Sequence, residues 1–161
     1  MDERSTLHSL GCQTAKHCYY LPNCPSLPNN WHLDSADAIA QLIAENGNHW
    51  RKIFTIMAKL SVIGTDWKNY RDSELLKQNE QILFGATSLN SSADLHLVIG
   101  SVSAEKLALS HHNAQFKAID EQEKVSSNGS DVILCPYLDY RQFPNILIEQ
   151  TRNHLAANNK S

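Results

Sequence analysis

The residues Val132–Cys135 read VILC, and residues 136–145 directly after them read PYLDYRQFPN. A short, continuous apolar run is typical of a strand covered on both faces of a sheet, as in parallel α/β folds. The following ten residues combine aromatic, charged and amide side chains. The two segments together predict a buried strand that leads into a loop rich in functional groups.

Other segments of the chain predict strands and helices in alternation. His17–Leu21 (HCYYL) and Leu95–Ile99 (LHLVI) are the clearest further strands, because both are rich in aromatic or branched apolar residues. Weaker strands are predicted at 81–84 and 116–119, helices at 36–45, 48–60, 73–79, 104–109 and 144–157, and a flexible turn at 126–130. This alternation predicts an α/β three-layer sandwich, with a short, mainly parallel central sheet flanked by helices.

Particular residues define the predicted helix ends and faces. Asp34 or Ser35 is expected to cap the first helix, and Gly47 to end it. The second helix has an apolar stripe that begins at Trp50. In the last helix, the residues expected to point inward are Ile146, Leu147, Ile148 and Leu155.

Length and composition suit one globular domain. The chain has 161 residues, of which 42% are hydrophobic and 19% charged, with a net charge of −3. So mild a charge does not indicate nucleic acid or membrane as a partner. We predict a single domain at 17–157, a flexible N-terminal segment at 1–16 and a C-terminal tail at 158–161.

The sequence also bears on location and on cofactors. No apolar run reaches the roughly 20 residues that cross a bilayer, and the N-terminus lacks the apolar core of a signal peptide. We therefore expect a cytoplasmic protein whose cysteines are reduced thiols, with no membrane partner. Cys12, Cys18 and Cys24 have gaps of five residues, wider than compact metal sites favour, so no metal and no cofactor are predicted.

Three loops follow predicted strands, at 22–30 (PNCPSLPNN), 100–103 (GSVS) and 136–145. In parallel α/β sheets, ligands bind outside the carboxyl ends of the strands. The candidate ligand-binding residues in these loops are Asn23, Cys24, Ser101, Tyr137, Asp139, Arg141, Gln142 and Asn145. No catalytic residue is assigned among them.

Each of these loops has a functional and a structural interpretation. The aromatic rings and Arg141 in the last loop suit stacking on a base or holding an anion, and Asp139 could orient Arg141 or act as a base. Alternatively the loop is a rigid connector, in which Asp139 or Asn145 caps and Arg141 pairs with a surface acid. Ser101 could help to hold an anion, or simply cap a helix.

The first of these loops follows the strand His17–Leu21. Asn23 and Cys24 sit just past that strand, where a side chain can face a cleft, and Cys24 would become a nucleophile only beside a base that lowers its pKa. The structural alternative is a connector braced by its prolines.

Several segments resemble the uracil/mismatch DNA glycosylase superfamily. Gly47, Asn48 and Trp50 are similar to the helix start after its first catalytic loop. Leu95–Ile99 with its serine- and alanine-led helix, and Val132–Cys135 with its proline-containing loop, resemble its later elements. The resemblance implies a small parallel α/β domain that binds a flipped base against an aromatic ring while water attacks the sugar; an enzyme of this kind would be a DNA glycosylase-like hydrolase.

The chain departs from both catalytic motifs of that superfamily. The first motif has a polar residue beside a glycine-bounded proline, and its nearest match is Asn23, without the glycines. In the second, Tyr137 follows Pro136 where the family has histidine or asparagine before its proline and serine. These departures favour binding over catalysis.

Two functional hypotheses follow. The first is a protein that binds a nucleobase, a nucleotide or single-stranded DNA, with Asn23 and Arg141 facing a shared cavity. The second is a non-enzymatic accessory or protein-interaction domain on an α/β scaffold, with an exposed apolar patch on a helix face.

Overall fold

The computed structural model describes residues 7–158. Its strands are β1 (Ser9–Gly11), β2 (His17–Leu21), β3 (Glu80–Phe84), β4 (Leu95–Ile99), β5 (Lys117–Ala118), β6 (Ser126–Ser127) and β7 (Val132–Cys135). Its helices are α1 (Ala38–Asn46), α2 (Asn48–Ser61), α3 (Trp67–Ser73), α4 (Gly100–Lys106) and α5 (Asn145–Ala157). Residues 1–6 of the predicted N-terminal segment and 159–161 of the predicted tail lie outside the described range.

The strands form one sheet in the order β1-β3-β2-β4-β7-β6-β5. The four central strands, β3, β2, β4 and β7, pair in parallel, while β1, β6 and β5 add antiparallel pairs at the two ends. The predicted α/β architecture with a mainly parallel central sheet is therefore confirmed. Strand β1 falls inside the N-terminal segment for which the sequence predicts no secondary structure.

The alternating side chains of the central strands build two apolar layers. Tyr19 and Leu21 of β2 face a large core that also contains apolar residues of α1, α2 and α5. Cys18 and Tyr20 face a smaller core with Val98. Helix α4 packs on the second face, next to β4, β2 and β7. The sheet is covered on both faces, as the continuous apolar strand VILC predicts.

Helices α2 and α5 are joined by an arginine that caps a helix end. The guanidinium of Arg152 on α5 donates hydrogen bonds to the carbonyl oxygens of Lys59, Val62 and Gly64, the Val62 bond measuring 3.0 Å and the Gly64 bond 2.9 Å. The last carbonyls of a helix have no partner within the helix. Arg152 thus satisfies the end of α2 and fixes α5 beside it.

The structure corrects several helix and turn predictions. Helix α1 begins at Ala38 after Asp37, so neither Asp34 nor Ser35 caps it. The helix predicted at 73–79 lies earlier, as α3, where the Asp66 side chain accepts a hydrogen bond from the Asn69 N–H. The Asp66 side chain caps α3 and so determines where this helix begins.

Further corrections concern α4, the turn at 126–130 and the last helix. Helix α4 begins at Gly100 directly after β4, so Ser101 does not cap it. Ser126–Ser127 is strand β6, paired with β7, and only the residues after it turn. Ile146 is 70% exposed, contrary to its predicted inward position, while Leu147, Ile148 and Leu155 are buried as predicted.

No helix within residues 7–158 is long and apolar enough to cross a membrane.

Candidate functional site

The carboxyl ends of the parallel strands meet at one edge of the sheet. The chain leaves β2 for β3 on one side and then returns to β4 on the other side of β2. Such a reversal creates a crevice between the neighbouring strands β2 and β4. Open α/β sheets bind ligands in crevices of this kind. The loops after β2, β4 and β7, which the sequence singles out, therefore share this edge.

Tyr137 links the loop after β7 to the start of α2 and to the start of α4. Its ring stacks on His49 with a centroid distance of 5.7 Å, and its hydroxyl lies 3.2 Å from His49 Nε2. A Cβ atom at Gly100 would lie 3.4 Å from Tyr137 Cδ1. Partial burial raises the pKa of Tyr137. The tyrosine thus packs between two elements of the protein.

Asp139 and Asn145 also serve as structural anchors of this loop. The Asp139 carboxylate accepts a hydrogen bond of 2.8 Å from the Arg141 N–H and lies 3.9 Å from Lys52 Nζ. Asn145 Oδ1 accepts a bond of 2.9 Å from Lys59 Nζ. For these two residues, the contacts agree with the interpretation of the loop as a rigid connector.

The loop at 22–30 is tied to the end of α1. The Asn46 carboxamide accepts a hydrogen bond from the Ser26 N–H and donates one to the Ser26 carbonyl, both 2.8 Å long. Asn23 is exposed, and Cys24 is half-buried against the main core. All four cysteines are free thiols.

A cavity of about 360 Å³ opens at the carboxyl end of β7. One wall is the loop that ends at α5, and the other is the segment at 119–124 between β5 and β6. Because β5 and β7 run in the same direction, the segment after β5 lies at the same edge. The lining residues are Asp120, Glu121, Gln122, Lys124, Pro136, Arg141, Gln142, Pro144, Ile146, Leu147 and Gln150.

The cavity is lined by polar side chains that are not engaged elsewhere. Within residues 7–158, neither the Arg141 guanidinium nor the amides of Gln122, Gln142 and Gln150 have a hydrogen-bond or ion-pair partner. Asp120 differs, because its Oδ1 accepts bonds of 2.9 Å from the N–H groups of Lys124 and Val125 and so shapes its turn. An open guanidinium and three open amides are groups that can bind a ligand.

Two of the eight residues predicted from the sequence therefore line this cavity, Arg141 and Gln142. Asn23, Cys24, Ser101, Tyr137, Asp139 and Asn145 do not. Ser101 is exposed in the short helix α4. Asn23 is not among the residues that line the cavity with Arg141.

The sequence interpretation missed the other polar groups of the cavity. Gln122 and Lys124 lie after a strand of only two residues, which gives almost no apolar signal. Gln150 and Ile146 are four residues apart in α5 and therefore lie on one face of the helix. The four-residue spacing of Ile146 and Gln150 is the one signal that could have placed these two side chains together.

Comparison with known proteins gives a family. A model described as a family of unknown function (DUF6942) matches residues 8–156. The chain belongs to this family. The DUF6942 match runs from β1 into α5 and so includes the whole sheet. No curated protein and no solved structure matches the chain. The resemblance to uracil/mismatch DNA glycosylases therefore stays a prediction.

Among the described residues, no three histidine, cysteine or acidic side chains lie close enough together to hold a metal ion.

Proposed function

We propose that this DUF6942 protein binds a nucleoside monophosphate in the cavity at the carboxyl end of β7. The observation that supports the proposal is the open guanidinium of Arg141 together with three open glutamine amides around one cavity. A volume of about 360 Å³ falls within the range of about 300–1,000 Å³ that is usual for small-molecule sites.

The glutamine amides suit the edge of a nucleobase. Each amide carries a donor and an acceptor side by side, and glutamine pairs with adenine through two hydrogen bonds in this way. Pro136, Pro144 and Ile146 supply apolar surface against which a flat base can pack.

The charges of the cavity select among nucleobase ligands. Arg141 and Lys124 are balanced by Asp120 and Glu121, so the lining has no net charge. A guanidinium binds one phosphate through two parallel hydrogen bonds. The balance favours a base with a single phosphate over a polyphosphate or a stretch of single-stranded DNA, both of which need a strongly basic surface.

Catalysis by a glycosylase mechanism has less support. Asn23, the nearest match to the polar residue of the first catalytic motif, does not line the cavity. The second hypothesis, an interaction domain, rests on exposed apolar residues, but the four large ones in the described range lie in separate segments: Ile63, Val102, Tyr140 and Ile146. Binding of a nucleotide is therefore the function we propose.

Calorimetric titration with adenosine 5′-monophosphate tests the proposal. We expect saturable binding that Arg141→Gln weakens about tenfold or more, the effect of losing a charge-assisted hydrogen bond. Arg51→Gln is the matched control, because Arg51 is exposed on α2 and lies outside the cavity. No binding of any nucleoside monophosphate, or equal binding by the two variants, would contradict the proposal.

A further inference from the structure

A second cavity, of about 560 Å³, lies at the opposite edge of the sheet. It opens where β2 and β3 begin, beside the end of α2 and along α3. His17 and Glu80, the first residues of these two strands, are register partners. Side chains of paired residues on neighbouring strands point to the same face of a sheet, so His17 and Glu80 are adjacent in the cavity wall.

A buried hydrogen-bond network surrounds Glu80. Its Oε1 accepts a bond of 2.8 Å from the Leu76 N–H, and its Oε2 accepts one from the Tyr70 hydroxyl. The Tyr70 hydroxyl in turn lies 3.2 Å from Asn79 Nδ2, which donates to it. Glu80 is 0% exposed. Burial raises the pKa of Glu80, while the bonds from Tyr70, Leu76 and Ser61 oppose that rise.

Part of this network has a structural purpose. Leu76 has a φ of +70°, a conformation that costs a branched residue free energy, and the Glu80 carboxyl holds its N–H in place. Holding the Leu76 N–H does not by itself require an open cavity beside the Glu80 carboxyl group. The cavity nevertheless exposes further polar groups from three different elements: Thr14, His17, Ser61, Asn69, Glu74 and Asn79.

The side chains at the mouth of the cavity carry mostly negative charge. Asp66 and Glu74 of the α3 region face a single cation, Lys16. Within the described residues, the Glu74 carboxylate has no hydrogen-bond or ion-pair partner. The carboxamide of Asn79, an exposed residue, and the hydroxyl of Ser61, which is half-buried, add acceptors to the lining. The cavity therefore combines acceptor groups with an excess of acid.

We propose that this amino-edge cavity binds a small organic cation with an amine or guanidinium group. Glu74 and Asp66 would pair with the cation at the mouth, and the polar groups that surround Glu80 would form the floor. This site is separate from the carboxyl-edge cavity and shares no lining residue with it. Its test therefore does not depend on the proposed nucleotide site.

Nuclear magnetic resonance titration with agmatine, which carries a guanidinium and an amine, tests this inference. We expect shifts of the amide signals at residues 14–17 and 66–80, and about fivefold weaker binding in Glu74→Gln, as for one partly screened ion pair. Glutarate, a dianion of similar length, is expected to cause no such shifts. Glu45→Gln, an exposed change on α1, is the control and should bind as the parent protein does.

Two further results complete the test. Glu80→Gln, which keeps the size of the side chain, should also weaken agmatine binding, provided its circular dichroism spectrum shows a folded protein. Absence of saturable shifts with agmatine, equal shifts with glutarate, or unchanged affinity in Glu74→Gln or in a folded Glu80→Gln would overturn the inference.

Discussion

Tyr20 shows how this fold accommodates polar atoms inside an apolar strand. Its hydroxyl accepts a hydrogen bond of 2.9 Å from the Asn90 N–H and lies 2.7 Å from His96 Nδ1. The tautomer of His96 decides which atom of the second bond, the Tyr20 oxygen or His96 Nδ1, carries the shared proton. His96 is buried in strand β4, and a strand pattern cannot show which side chain across the sheet will meet it.

Tyr20→Phe should destabilise the protein. The change removes the hydroxyl from both the Asn90 N–H and His96 Nδ1 while it keeps the ring. Loss of a buried partner costs about 1–3 kcal/mol, and we expect a loss of that size in the free energy of unfolding measured with urea. Tyr140→Phe, on the exposed part of the loop after β7, is the control. A variant as stable as this control would show that the Tyr20 hydroxyl contributes nothing.

Glu80 should make stability depend on pH. Its pKa is raised in the folded protein above the ordinary value of 4.5. The protonated form therefore contributes stability that is fully present below pH 4.5 and is lost as the pH rises through the raised pKa. Glu80→Gln stays neutral throughout. We expect the free energy of unfolding of the variant, relative to the parent, to increase between pH 4.5 and neutral pH; a constant difference would contradict this.

At the scale of elements, the strands were easier to predict than the helix ends. Leu95–Ile99 and Val132–Cys135 are rich in branched apolar residues and have no competing pattern, and both form strands at the predicted residues. Helix ends depend on single contacts. α1 starts without any side-chain cap, and β6 consists of two serines whose strand conformation comes from pairing with β7. Local sequence carries little information about such pairing.

The junction of α2 and α5 gives a prediction at this scale. Arg152→Met keeps most of the hydrocarbon stem but removes the donors to the ends of α2. We expect the free energy of unfolding to fall by about 1–2 kcal/mol, because water replaces only part of these bonds. Arg51→Met, exposed on α2, should change it much less. Faster amide hydrogen exchange at Val62, whose N–H donates to the Ala58 carbonyl at the end of α2, would locate the effect in Arg152→Met. Equal stability of the two variants would contradict the prediction.

At the scale of the whole molecule, the sequence predicts the edge of the sheet that bears the site better than it predicts the site itself. The position of Arg141 and Gln142 after a buried parallel strand places them at the carboxyl edge, and the structure has them there. The sequence cannot show that Tyr137 turns toward His49 and away from the cavity. Nor can it show that residues 119–124 form the opposite wall, because the strand order decides that contact.

The central claim is that the cavity between residues 119–124 and 136–150 binds a nucleotide. A heteronuclear magnetic resonance titration with adenosine 5′-monophosphate tests it most directly, because the shifted signals locate the ligand. The account predicts saturable shifts at Gln122, Lys124, Arg141, Gln142 and Gln150, with signals of the amino-edge residues near Glu80 unchanged. Shifts confined to another surface, or none at saturating nucleotide, would contradict it.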